Sequence, residues 1–168
     1  MKSTLKVLIL MGFVSAAVPA TWGAEGDSFK RFRYDFGASA VSSSAGTSNE
    51  AHFGLDYYLQ RWLFVRGAPF VRFGSGIDTF YGLDTSLSGS VSFQLAESLD
   101  SGLMLGGGYR VTNVQADAPF TEGGISIRAG GFSLSGSMKY ILHSASTPGA
   151  QNERIYTIST DFAGAGSF

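Results

Sequence analysis

The chain has 168 residues and a formal net charge of −1, a length that suits one domain and a charge that gives no reason to expect nucleic acid as a partner. It has no cysteine, which excludes disulfides, thiolate metal sites, a cysteine nucleophile and the acylated cysteine of a bacterial lipoprotein. Charged residues make up 15% of the chain against roughly 25% in a typical soluble protein, a poor recipe for a surface that faces water.

Residues 1–20 read as a Sec-type signal peptide. Lys2 and Lys6 precede or open an apolar run from Leu5 to Val14, and Ser15, Ala16, Ala17, Val18 and Ala20 supply small residues for cleavage after Ala20. Cleavage after Ala24 would place bulky Trp22 in the recognition site. No later stretch is long and apolar enough to span a membrane as a helix, so residues 21–168 are expected to form the mature domain.

Beyond the signal, apolar residues recur at every second position, the period of a strand with one greasy and one polar face. A first strand alternates Phe32, Tyr34, Phe36, Ala38 with Arg33, Asp35, Gly37, Ser39, and a second alternates Phe53, Leu55, Tyr57, Leu59 with His52, Gly54, Asp56, Tyr58. A third, about Trp62 to Phe73, is apolar on both faces and holds Pro69, which cannot donate to a ladder and predicts a bulge or an irregular stretch. The fourth is the clearest: Leu83, Leu87, Val91, Phe93 and Leu95 lie on one face, Asp84, Ser86, Ser88, Ser90, Ser92 and Gln94 on the other. The fifth sets Leu103, Leu105, Tyr109 and Val111 against Met104 and Arg110, and the sixth sets Ile125 and Ile127 against Ser126 and Arg128. The seventh sets Phe132, Leu134, Met138 and Tyr140 against Ser133, Ser135, Ser137 and Lys139, and the eighth runs from Tyr156 through Ile158 and Phe162 to Phe168.

Gln60–Arg61, Ala96 to Gly102 and Gly130–Gly131 are short connections, whereas Ser42 to Glu50, Gly74 to Gly82, Asn113 to Thr121 and Ser144 to Glu153 are longer and rich in small polar residues. Short turns on one rim and longer loops on the other predict an all-β, eight-stranded antiparallel up-and-down transmembrane β-barrel. The polar face carries Ser, Gly, Arg and Asp with scarcely a Lys or Glu, as fits a narrow interior in which charges must be paired, so the greasy face is assigned to lipid. Tyr57, Phe93 and Phe132 near one set of strand ends, with Phe73, Tyr109, Tyr140 and Tyr156 near the other, match two aromatic girdles.

With its alternating strands and a final strand ending in Phe168, the sequence resembles the small outer-membrane barrel class typified by the OmpA transmembrane domain and OmpX. Gly164 and Gly166 depart from the bulky alternation usual before that last aromatic. The resemblance implies the outer membrane of a Gram-negative bacterium, with membrane lipid and lipopolysaccharide as surroundings.

The interior of such a barrel is expected to hold Arg31, Arg33, Arg66, Arg72, Arg110, Arg128 and Lys139 among Asp35, Asp56, Asp84, Glu122 and Asp161, a paired set that fills the lumen rather than a pore. A narrow channel is the alternative. His143, Ser144, Ser146 and Glu153 invite comparison with a Ser–His–acid set. The segment is superficially similar to lipid A deacylases of this barrel class, which place a Ser two positions after the His, but that position here is Ala145. A polar extracellular loop accounts for the same residues, so no catalytic residue is assigned and the chain is read as non-enzymatic. Gly106, Gly107 and Gly108 lack the Gly-Lys-Ser/Thr of a phosphate loop and read as close packing within a strand. His52 and His143 are too far apart for a metal site, so no metal or cofactor is expected. Any extracellular partner would meet four surface loops, in which Phe80 and Tyr81 are the aromatic candidates.

Overall fold

The computed structural model describes residues 31–44, 46–129, 132–143 and 152–163. The expected signal peptide, its cleavage site, Ser144, Ser146 and Phe168 lie outside the described residues. Eight strands follow in chain order: β1 (Phe32–Ser43), β2 (Gly46–Gln60), β3 (Leu63–Gly74), β4 (Ile77–Ala96), β5 (Leu99–Thr112), β6 (Ala118–Ala129), β7 (Phe132–Ile141) and β8 (Glu153–Ala163). Each pairs antiparallel with the next and β8 closes on β1, which gives an all-antiparallel closed barrel. Closure gives every strand two partners and leaves no open sheet edge, the condition for strands to stand in hydrocarbon.

Following ladder partners once round the wall, from Phe32 through Tyr57, Val65, Leu87, Gly107, Thr121, Tyr140 and Arg154, returns to β1 at Ser42, ten residues further along. That stagger tilts the strands and sets an interior just wide enough for side chains to fill. Leu55, Val65, Leu83, Leu103, Leu105, Ile125, Ile127, Leu134 and Ile158 are exposed on the outside. Asp35, Asp56, Asp84, Ser86, Ser88, Arg110 and Glu122 are buried inside.

Two expectations are corrected by the strand boundaries. Ser42 to Glu50 and Gly74 to Gly82 are not long loops: β1 and β2 leave only residues 44–45 between them, and β3 and β4 only 75–76. Their Ser, Gly, Thr and Asn residues form strand, and Gly76 turns the second hairpin with φ of 78°, a left-handed conformation that costs a residue without Cβ nothing. On this outer rim only residues 113–117 and 142–152 form longer connections. On the inner rim each of the three connections, 61–62, 97–98 and 130–131, has two residues.

β3 is also more regular than expected. The β2–β3 ladder passes over Pro69 with no change of register between His52↔Phe70 and Leu55↔Gly67, and the irregularities fall beside the turns, at Tyr58/Gln60 and Arg72/Gly74. Its second apolar face has a use inside the barrel: Phe64 stacks on Tyr58 with ring centroids 5.0 Å apart, and Phe70 meets Phe80 edge-on at 6.5 Å. Phe80, expected in a surface loop, is therefore buried in the lumen, while its neighbour Tyr81 is 66% exposed on the outer face of β4.

Candidate functional site: the barrel lumen

The lumen contains two ion-pair clusters at different heights. The outer one is centred on Arg110 of β5. Its guanidinium makes a bidentate pair with Asp84, Nε to Oδ1 and Nη2 to Oδ2 both at 2.7 Å, and a second with Glu50, Nη1 to Oε1 at 2.7 Å and Nη2 to Oε2 at 3.1 Å. Arg72 of β3 reaches the same Glu50 through Nε at 2.7 Å and donates two bonds of 2.8 Å to Glu153. Lys139 bonds to Asp84 and stands 3.9 Å from Glu122, which accepts from Ser86 at 3.0 Å and Ser88 at 3.3 Å.

The alternate-residue period places these groups on one wall of each strand. The planar guanidinium fork of Arg110 then makes a two-bond match with each of two carboxylates, a bidentate geometry that a lysine ammonium cannot offer. Phe70 lies under Arg110 with its ring centroid 3.9 Å away, and Phe80 lies under Arg72 at 5.1 Å, so aromatic faces supply part of the solvation lost on burial. Beside this lattice Val41, Ala118, Phe120, Ile141 and Ile155 form an apolar cluster, each at most 3% exposed. Ions and hydrocarbon together crowd the outer part of the lumen, where Glu50, Phe70, Asp84, Lys139 and Ile155 also border the space that stays open.

The second cluster is nearer the inner rim, between β1, β2 and β3. Arg66 donates to Asp35 at 2.8 Å and to Asp56 at 3.0 Å, and His52 Nε2 shares a hydrogen bond of 2.9 Å with Asp35. Gly54 makes room for it: a Cβ there would overlap the Asp35 carboxylate and the Arg66 guanidinium. Gly54→Ala is expected to destabilise the barrel by about 1–3 kcal/mol through overpacking. Gly67→Ala, whose Cβ would meet nothing within 4 Å, should change stability by less than about 0.5 kcal/mol. Urea unfolding from lipid vesicles measures both.

Of the basic residues expected inside, Arg66, Arg72, Arg110 and Lys139 enter these clusters. Arg31 does not: it is exposed at the inner rim, one residue before β1 begins, and reaches Tyr57 Oη at 3.4 Å. Arg33 lies over the Tyr58 ring at 5.3 Å, and Arg128 lines the inner part of the lumen. Among the acids, Asp161 accepts from Ser133 at 3.0 Å. Glu50 and His52 are members that sequence reasoning left out, although both continue the inward parity of Gly54, Asp56 and Tyr58.

Glu153, expected in a surface set with His143, Ser144 and Ser146, instead points inward and is held by Arg72. His143 is half-buried at the outer rim, where its backbone N–H donates to Asn152 Oδ1 at 3.1 Å. The acid is thus committed to Arg72, while His143 is held through its backbone and its buried imidazole Nδ1 has no hydrogen-bond partner among the described residues. Among the described residues no cluster of His, Asp and Glu has the arrangement of a metal site.

What remains open is a polar cavity of about 120 Å³. Its β4–β8 side carries Ser90, Ser126, Ser135, Ser137 and Ser159 beside Asp100, Arg128 and Asp161, and its other side carries Arg33, Asp56, Tyr58, Phe64 and Arg66.

No family model and no curated protein matches the sequence, so the comparison rests on the fold. The solved structure of the outer membrane enzyme PagL superposes with a TM-score of 0.63 at 11% identity, over 76% of this chain and 98% of that one. Neisserial surface protein A gives 0.58 at 9% identity, over 79% of this chain and 96% of that one. A de novo designed transmembrane barrel gives 0.50 at 11% identity, over 81% and 98%. The chain therefore has the fold of the small eight-stranded outer-membrane β-barrels. The designed barrel carries the same fold, which separates that fold from any one activity.

Proposed function

We propose that the chain is a non-enzymatic outer-membrane barrel, exported by its N-terminal signal and embedded among outer-membrane lipid and lipopolysaccharide. It seals its own lumen and meets extracellular partners through its outer rim. The observation that supports this reading best is the crowded outer part of the lumen: the Arg110 and Arg72 lattice and the adjoining apolar cluster, all buried, stand across the path an ion would take. Among the described residues, the surface available to a partner is the set of hairpin tips, chiefly residues 113–117 and the ends of the β7–β8 connection at 142–143 and 152. Tyr81 and Val114, both well exposed, are the apolar contacts such a partner would find there.

Purified barrel in planar bilayers is the test of the sealed lumen. We expect no stable conductance of porin size. Reproducible porin-size steps from the unsubstituted protein would overturn this reading, and small reproducible steps would put in its place the narrow channel, which the cavity in the lumen favours. Fractionation to the outer membrane, with a heat-dependent mobility shift on an unboiled gel, checks the location.

A further inference from the structure

The inner half of the lumen holds two cations that the ion-pair clusters do not use. Arg33 on β1 and Arg128 on β6 line the same cavity from strands separated by β7 and β8. Among the described residues neither guanidinium has a carboxylate within ion-pair distance, although acids are at hand. Asp56, the ladder neighbour of Arg33, is bound to Arg66. Asp161 and Asp100, the second the ladder neighbour of Arg128, line the same cavity and keep their charge, Asp161 accepting only from the neutral Ser133 hydroxyl.

Hydroxyls surround the same space. Ser39 pairs with Thr157 at 2.8 Å and Ser135 with Ser159 at 2.7 Å. Ser90 and Ser126 line the cavity with no side-chain hydrogen bond among the described residues. Gly102 lies beside Ser126, where a Cβ would approach the Oγ to 2.6 Å, so the backbone of β5 makes room for that hydroxyl. The backbone N–H of Ser90 is fixed by Trp62 O at 2.7 Å, which anchors the strand that presents its hydroxyl.

Arg33 and Arg128 repel one another in this low-dielectric space, and neither Asp100 nor Asp161 comes within ion-pair distance of either guanidinium to offset that as an oxyanion between them would. Guanidiniums with hydroxyl donors are the groups that bind tetrahedral oxyanions, because each planar fork gives two parallel N–H bonds. We propose that the inner mouth of the lumen is a phosphate-binding site, with Arg33 and Arg128 as the charge partners and Ser90 and Ser126 as hydroxyl donors. The phosphate is either a free ion from the side the mouth faces or the headgroup of a lipid at the inner rim. This site is independent of whether the outer half conducts.

The test uses refolded mature barrel in octyl glucoside, a detergent without phosphate, titrated calorimetrically with inorganic phosphate at constant ionic strength. One saturable site per barrel is expected, and R33Q/R128Q should weaken it by at least about tenfold. R61Q, which removes an exposed inner-rim cation outside the cavity, should leave it unchanged. A parallel titration with dihexanoyl-phosphatidylglycerol identifies the source: tighter binding than phosphate, again lost in R33Q/R128Q, assigns the lipid headgroup, and the reverse order assigns the free ion. If the double variant fails to give the folded-form mobility shift, R128Q and S126A singly take its place, each expected to weaken binding. Absence of saturable binding by both probes, or binding that survives these substitutions in folded protein, overturns the proposal.

Discussion

Arg110→Ala is expected to lower the unfolding free energy of the barrel by about 3–5 kcal/mol, the usual result of removing one partner from a buried ion cluster. Arg110 is 2% exposed and bridges two carboxylates that are themselves buried, Glu50 and Asp84. Without it Asp84 keeps Lys139 and Glu50 keeps Arg72, but each loses a bidentate pair in a space that water enters poorly. The Phe70 ring beneath the guanidinium loses its cation as well. Urea-dependent folding into lipid vesicles reads the change as a shift of midpoint. Arg72→Ala probes the same lattice from the other side, and because Arg72 and Arg110 share Glu50, the double variant should cost more than the two singles together by at least about 0.5 kcal/mol. Additive losses would mean that the two arginines act independently and that Glu50 is not the joint between them.

Much of the barrel was readable because lipid and lumen impose opposite demands on alternate residues. In β4 no polar-face position of the run Leu83 to Leu95 is apolar, and the structure places Leu83, Phe93 and Leu95 outside and Asp84, Ser86 and Ser88 inside. Strand boundaries were harder, and the reason is chemical. Ser42 to Glu50 has the composition of a surface loop in water, but a narrow lumen also selects small polar residues, so composition cannot tell the two apart. Parity could have done so: Glu50 continues the inward series His52, Gly54, Asp56, and it proves to be the carboxylate that joins Arg72 to Arg110.

The rule that apolar residues face lipid failed for Phe64, Phe70, Phe80 and Phe120, all buried in the lumen. All four are tied to a cation or to another ring: Phe70 lies below Arg110, Phe80 below Arg72 and Phe64 against Tyr58. Phe120 does the same for Lys139, whose ammonium is 4.4 Å from the ring centroid. A strand that reads apolar on both sides is therefore compatible with this architecture when guanidiniums or ammoniums from neighbouring strands need a face to rest on. The identity of each ion-pair partner depends on the stagger between strands, which alternation within a strand does not encode. Which acid meets Arg72 became legible only once the ladders were known.

The assignment of the outer face to lipid carries the second large effect. Leu105 lies in the middle of β5, 60% exposed, with Gly89 and Gly123 as its ladder neighbours and Tyr109 of the outer girdle four residues away. In a bilayer an arginine there must leave water for hydrocarbon or drag water and headgroups inward, a cost of about 2–4 kcal/mol near the midplane that falls to about 0–1 kcal/mol near the interfaces. Leu105→Arg should therefore destabilise the folded barrel by that larger amount, whereas Phe132→Arg at the inner end of β7 should cost little beyond the lost ring. In a barrel surrounded by water the order would invert: a charge at position 105 would be solvated at once, and loss of the Phe132 ring would be the greater change. The ratio of the two effects, measured by urea unfolding from the same vesicles, distinguishes acyl chains from water on the greasy face without any knowledge of ligand or partner. Equal and small effects at both positions would remove the physical basis for placing this barrel in a membrane.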